Sequence, residues 1–164
     1  MESDERVELW PLDEERLEAL LDAAVADADP YEVMPPVEGP EGWTPARRRA
    51  FLDFHRSRSL APVPVEATYA IAVGGRVAGA ARLLLHQGGD AVETGVWIGR
   101  SQRGRGVGAA VVGLLLAEAA KTGARRLVAT TTVDNGAARR LLAGAGAELT
   151  EDGEGGVDAV VRLG

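Results

Sequence analysis

The chain contains no cysteine. Disulfides, thiolate metal sites and a cysteine nucleophile are therefore excluded, and a reducing, cytoplasmic setting is expected. Histidine is almost missing too. His55 and His86 are the only two, far apart in sequence, so no histidine-based metal site is expected. Lysine is reduced to Lys121, a bias from which no function is drawn. No apolar run approaches a membrane span without a glycine or charge nearby, so no membrane partner is expected. The opening Met-Glu-Ser-Asp-Glu lacks the basic, then apolar pattern of a signal peptide. Positive charge is also in deficit: the net charge is −7, which argues against a nucleic-acid partner.

What is present suits a globular protein. With 164 residues, a single domain over 1–164, large enough for a real core, is the expectation. Charge is unevenly placed. From Leu17 to Ala46 there are seven acids and no Lys or Arg, whereas Arg100, Arg103 and Arg105 cluster without an acid between them. Such stretches serve different ligands or form an ordinary solvated surface.

Local patterns outline the elements. Val7-Glu8-Leu9-Trp10 alternates as a strand does. Asp13 is placed to cap a helix whose Leu17, Leu20, Leu21, Ala24 and Val25 share a stripe. Residues 29–43, rich in Pro, Gly and acids, read as a loop. Thr44-Pro45 opens a second helix with Phe51 and Phe54 inward. Residues 68–73, 76–86 and 91–98 form an antiparallel meander turning at Gly74-Gly75 and Gly88-Gly89-Asp90. Residues 104–121 form a helix apolar on nearly every face, expected to be buried. A strand at 127–131, a helix at 135–145 capped by Asp134, and strands at 147–150 and 157–162 complete the chain.

The most informative segment is Gln102-Arg103-Gly104-Arg105-Gly106-Val107-Gly108, between a strand and that apolar helix. Glycine lets the main chain turn tightly and leaves its N–H groups uncovered. A helix start adds unpaired donors and partial positive charge. Together with Arg103 and Arg105, this is a site for phosphate. A P-loop is excluded because no Lys-Ser or Lys-Thr follows the glycines. A dinucleotide fold fails because the acid due roughly 20 residues on is replaced by Arg125-Arg126.

The wider context resembles the GNAT N-acetyltransferase superfamily. Glu93-Thr94-Gly95-Val96-Trp97-Ile98 leads into Arg103-x-x-Gly106-x-Gly108, and Val133-Asp134-Asn135 opens a later helix. The order of these elements over residues 68–147 matches that family. The resemblance implies an α/β (α+β) fold: one GNAT-like domain with a central mixed, mostly antiparallel sheet of roughly six to seven strands and about four helices. It implies a splayed sheet binding acetyl-coenzyme A. The diphosphate would lie on Arg103, Gly104, Arg105, Gly106, Val107, Gly108 and Ala109, and the pantetheine arm on main-chain groups of Val96, Trp97 and Ile98. Asn135 would point to that arm, or serve only as a turn residue. Glu93 is the candidate catalytic base; an exposed strand residue paired with Arg82 is its plainer role.

The family's usual tyrosine acid, seven residues after the Asn, is replaced by Leu142, and the usual Gly-Phe by Gly146-Ala147. Tyr69, Thr131 or water would then supply the proton, or none is needed, since a free thiol titrates near 8.5. The N-terminal third resembles kasugamycin-type aminoglycoside acetyltransferases. That implies antibiotic resistance and a small cationic amine as partner, met by Asp29, Tyr31, Glu32 and Trp97, with Asp27, Glu38 and Glu41 adding charge. Other pocket candidates are His55, Glu66 and His86. A peptide or protein N-terminus, a polyamine, a non-catalytic acyl-coenzyme A binder, and a subunit docking through Val33, Met34 and Trp43 stay open, as does a homodimer.

Overall fold

The computed structural model describes residues 6–163. It contains a seven-stranded mixed sheet in the order β1-β2-β3-β4-β5-β7-β6 and five α-helices, so the fold is α+β as expected. The described residues group into two compact units. One takes residues up to Ala81 together with Val96–Val107; the other takes Arg82–Gly95 and the residues from Gly108 on.

In the first unit, β1 (Val7–Pro11) pairs antiparallel with β2 (Ala67–Val73). The first part of β3 (Arg76–Leu85) follows across the Gly74-Gly75 turn, where both glycines have φ of 59° and 82°. Asp13 caps α1 (Glu14–Asp27), accepting the Arg16 N–H at 2.7 Å. Leu17, Leu20, Leu21 and Ala24 are buried as the stripe implied, joined by Ala28, Val33, Met34, Phe51 and Ala80. Thr44 caps α3 (Pro45–Ser59), with Pro45 in its first turn.

Three expectations fail here. Residues 29–43 are not all loop, because Pro30–Val33 form a short helix, α2. That raises the count from about four helices to five. Its signal was present: Asp29 and Glu32 make a reciprocal capping box around Pro30. Val33 and Met34 are buried, and Trp43 is half-buried with its indole N–H donated to Ala28 O at 2.9 Å, so they offer no exposed docking surface. On α3, Phe51 is fully buried but Phe54 only partly. His55 takes the second inward position.

In the second unit, β5 (Arg126–Thr132) pairs parallel with the first part of β4 (Ala91–Ile98) through Ala91–Arg126, Val92–Leu127 and Glu93–Val128. It pairs antiparallel with β7 (Gly156–Arg162), which also pairs with β6 (Glu148–Glu151). The apolar helix α4 runs Val107–Ala120. It is not buried on every side. Val107, Val111, Leu115 and Ala119 are buried at i, i+4 spacing, while Ala109, Ala110, Gly113 and Ala117 are exposed. Small residues made that face look apolar in the sequence without giving it surface to bury. The last helix, α5, runs Gly136–Gly144, and its cap is Asn135, not Asp134. Asp134 instead accepts the Thr132 hydroxyl at 2.7 Å.

Candidate active site

The glycine segment follows a 3₁₀ turn, Arg100–Gln102, and ends at the first residue of α4. Residues 103–106 are all exposed. Gly104 and Gly106 have φ of 76° and 81°, and space is open where a Cβ would stand on either. The positive φ therefore demands glycine, and the open side leaves room for a ligand against the main chain. The first turn of α4 adds N–H groups without an intrahelical acceptor.

The loop is held from the N-terminal side. The Asp27 carboxylate, at the end of α1, accepts the Ser101 N–H at 3.1 Å and the Ser101 hydroxyl at 2.6 Å. Gly99 leaves space beside it, since a Cβ there would press on that carboxylate. Glu32 lies 3.5 Å from Arg100 and 3.8 Å from Arg103. Arg103 Nε donates to Ile98 O at 3.0 Å. Part of the acidic stretch is therefore engaged with the basic loop itself. Arg105 and Gln102, bonded at 3.3 Å, line a cavity of about 600 Å³ with Arg76, Asp27 and Ser101.

Among the other N-terminal candidates, Asp29 accepts the Tyr31 N–H at 3.0 Å and Glu32 accepts the Asp29 N–H at 3.0 Å, so both serve as caps of α2. Tyr31 is 58% exposed and lies over the Arg47 guanidinium, whose carbon is 5.5 Å from the ring centroid. Arg47, which sequence reasoning missed, is fully buried. It donates to the carbonyls of Val37 at 2.7 Å and Gly42 at 2.9 Å, and also to that of Pro40. Residues 37–42 are thus wrapped around a cation. Three consecutive arginines carry no sign of which one is buried. Trp97 packs partly buried against the first unit's core.

The second unit holds Glu93. Its Oε2 accepts from Arg82 Nη2 at 2.9 Å, and its Oε1 lies 3.3 Å from His86 Nε2. The Arg82 hydrogen bond, offset in part by burial and aided by His86, holds the Glu93 carboxyl below the usual carboxylate range. Asn135 Oδ1 accepts the Ala138 N–H at 3.1 Å as the α5 cap. Leu142 is half-buried on α5. Among the described residues, no cluster of three or more His, Asp or Glu side chains is placed to hold a metal ion, and no helix is long and apolar enough to cross a membrane.

The Acetyltransferase (GNAT) family model matches residues 20–147. The chain belongs to the GNAT acetyltransferase family. Solved structures agree in fold. The GNAT domain of Streptomyces lividans PAT superposes with a TM-score of 0.72 at 20% identity, covering 97% of this chain and 90% of that one. The acetyl-coenzyme A complex of yncA, a putative acetyltransferase from Salmonella typhimurium, gives 0.67 at 19% identity, covering 96% and 94%. A dodecameric spermidine N-acetyltransferase from Vibrio cholerae gives 0.71 at 12%, covering 96% and 94%. No curated protein matches significantly. The kasugamycin-type branch suggested by the N-terminal third finds no support in these matches.

Proposed function

We propose that this GNAT protein is an N-acetyltransferase, one domain over residues 1–164, that moves an acetyl group from acetyl-coenzyme A to a primary amine of a small cationic substrate. The observation that carries this is the open, positive-φ glycine loop at the start of α4, inside the segment matched by the family model. When bound, the cosubstrate supplies an acetyl group activated as a thioester.

The chain's own residues do the rest. Main-chain N–H groups of residues 103–109 hold the diphosphate, aided by Arg103 and Arg105. The β4–β5 ladder ends at the Glu93–Val128 pair. Main-chain groups of Val96, Trp97 and Ile98 hold the arm, and an N–H near Ile98 stabilises the thioester oxygen as it becomes negative. Asn135 has its oxygen committed to the α5 cap, which leaves its amide N–H₂ for the arm. The ionised Glu93 attracts the substrate ammonium. With Leu142 in place of a tyrosine, the departing thiolate takes its proton from the reaction itself or from water.

For the acceptor, of the candidates Asp27, Asp29, Glu32, Glu38 and Glu41, the two not spent on caps or on the loop are the exposed Glu38 and Glu41. They suit a cation with several charges, and an aminoglycoside such as kasugamycin remains the substrate carried from the sequence. A polyamine is the second choice, and a peptide N-terminus the third. A thiol-release assay with acetyl-coenzyme A over these classes tests the proposal. Turnover on at least one amine is expected; no turnover on any amine by folded protein overturns it. The reading that Leu142 favours, a non-catalytic acyl-coenzyme A binder, is then supported if calorimetry still detects the coenzyme. Light scattering on the same sample checks for the homodimer.

A further inference from the structure

Arg82, Glu93 and His86 form a connected set whose geometry assigns a division of labour. Gly95 leaves room for it: a Cβ there would stand 2.9 Å from Arg82 Nε, so the guanidinium lies close along β4 as it reaches Glu93. Both oxygens of Glu93 are then occupied, by Arg82 at 2.9 Å and by His86 at 3.3 Å. A carboxylate bound in this way is a poor acceptor for an ammonium proton, because proton transfer is most efficient when the acceptor titrates near the working pH. Imidazole is the side chain suited to that range. When its Nε2–H donates to a carboxylate, its Nδ1 presents a free lone pair in a fixed orientation. The His86 side chain is 41% exposed and so open to a substrate.

We propose that His86 accepts the proton of the substrate ammonium and that Glu93 is its positioning residue, fixed in turn by Arg82. This rests on the transferase reading above and deepens it. His86 Nδ1 takes one proton from the ammonium. The freed nitrogen lone pair forms the C–N bond at the thioester carbonyl, and the C–S bond breaks with its electron pair on sulfur. The surplus amide proton goes to the thiolate and the imidazolium proton to water, so ammonium and acetyl thioester give acetamide, thiol and one proton. Glu93 on β4 and, through it, Arg82 on β3 face the imidazole. Asp90 in the intervening turn is paired with Arg125 and Arg126.

The test compares kcat/KM against pH for the full chain, His86→Asn and Glu93→Gln, using an amine that turns over, alongside acetyl-coenzyme A affinity by calorimetry. The His86→Asn rate should fall by roughly 10²- to 10⁴-fold. Its acid limb should vanish while coenzyme affinity stays within about twofold. Added imidazole should restore His86→Ala. Glu93→Gln should lower the rate by less than His86→Asn, since the imidazole stays but loses the carboxylate that orients it. A His86→Asn protein with the parent's rate and limb overturns the proposal while leaving the transferase reading intact. A folded parent with no turnover on any amine overturns both.

Discussion

Lowering the pH from 7.5 to 5 should destabilise this fold chiefly through His55. The ring is 5% exposed on α3, stacked edge-on to Phe51 and Phe54 at 4.7 and 5.2 Å, and neither nitrogen has a hydrogen-bond partner. Burial pushes its pKa down from 6.5 to about 4, against a smaller opposing pull from Glu66. Above about pH 6.5 the residue is neutral whether the chain is folded or not, and it contributes no pH dependence. As pH falls through that value, the unfolded chain takes up a proton that the folded one refuses. Stability is therefore lost down to about pH 4 and levels off below it. Between pH 7.5 and pH 5 the difference in proton uptake amounts to about 2 kcal/mol. His55→Leu removes both the titration and the two unpartnered nitrogens, so it should also stabilise the protein near neutrality by about 1 kcal/mol. Urea unfolding of both proteins at the two pH values reads the effect. The reasoning is refuted if wild type and His55→Leu lose the same stability between the two pH values.

Three further changes test other parts of the structure. Gly79→Ala would place a Cβ against the Trp97 carbonyl and 3.0 Å from Ile98 Cα. Forcing those strands apart should cost about 3 kcal/mol and lower the Tm by roughly 5 °C or more in a thermal scan. Arg47→Met strips the carbonyls of Val37, Pro40 and Gly42 of their donor, so residues 37–42 should become susceptible to limited proteolysis and urea stability should drop by about 3 kcal/mol. Asp27→Ala releases Ser101, which should weaken acetyl-coenzyme A binding by roughly tenfold in calorimetry while costing only about 1 to 2 kcal/mol of stability.

Much of this was legible in the sequence where one local rule acted alone. The β2–β3 turn announced itself through Gly74-Gly75, α1 through Asp13 and its stripe, and the loop through three glycines ahead of an apolar run. Failure came where two rules competed or where the partner was remote. Prolines and acids in residues 29–43 signalled a loop and masked the capping box that builds α2. Asp134 and Asn135 are both good caps, and only the structure shows which one bonds Ala138. Asp27 and Ser101 are 74 residues apart, and the burial of Arg47 depends on carbonyls of a loop whose path is set by packing. The acids of the N-terminal third looked like a substrate lure, yet Asp27 and Glu32 serve the arginine loop. For Glu93 the sequence offered the Arg82 pairing but not the His86 contact, and the two together change what it can do.

The most direct test is calorimetric titration of acetyl-coenzyme A into the wild-type chain and into Gly106→Val, whose side chain cannot adopt a φ of 81° without strain. If residues 103–108 hold the diphosphate, the wild type should bind at micromolar concentrations and the variant should be weaker by roughly tenfold or more while keeping its fold. A folded wild-type chain that does not bind the coenzyme, or a variant that binds it equally well, would contradict this.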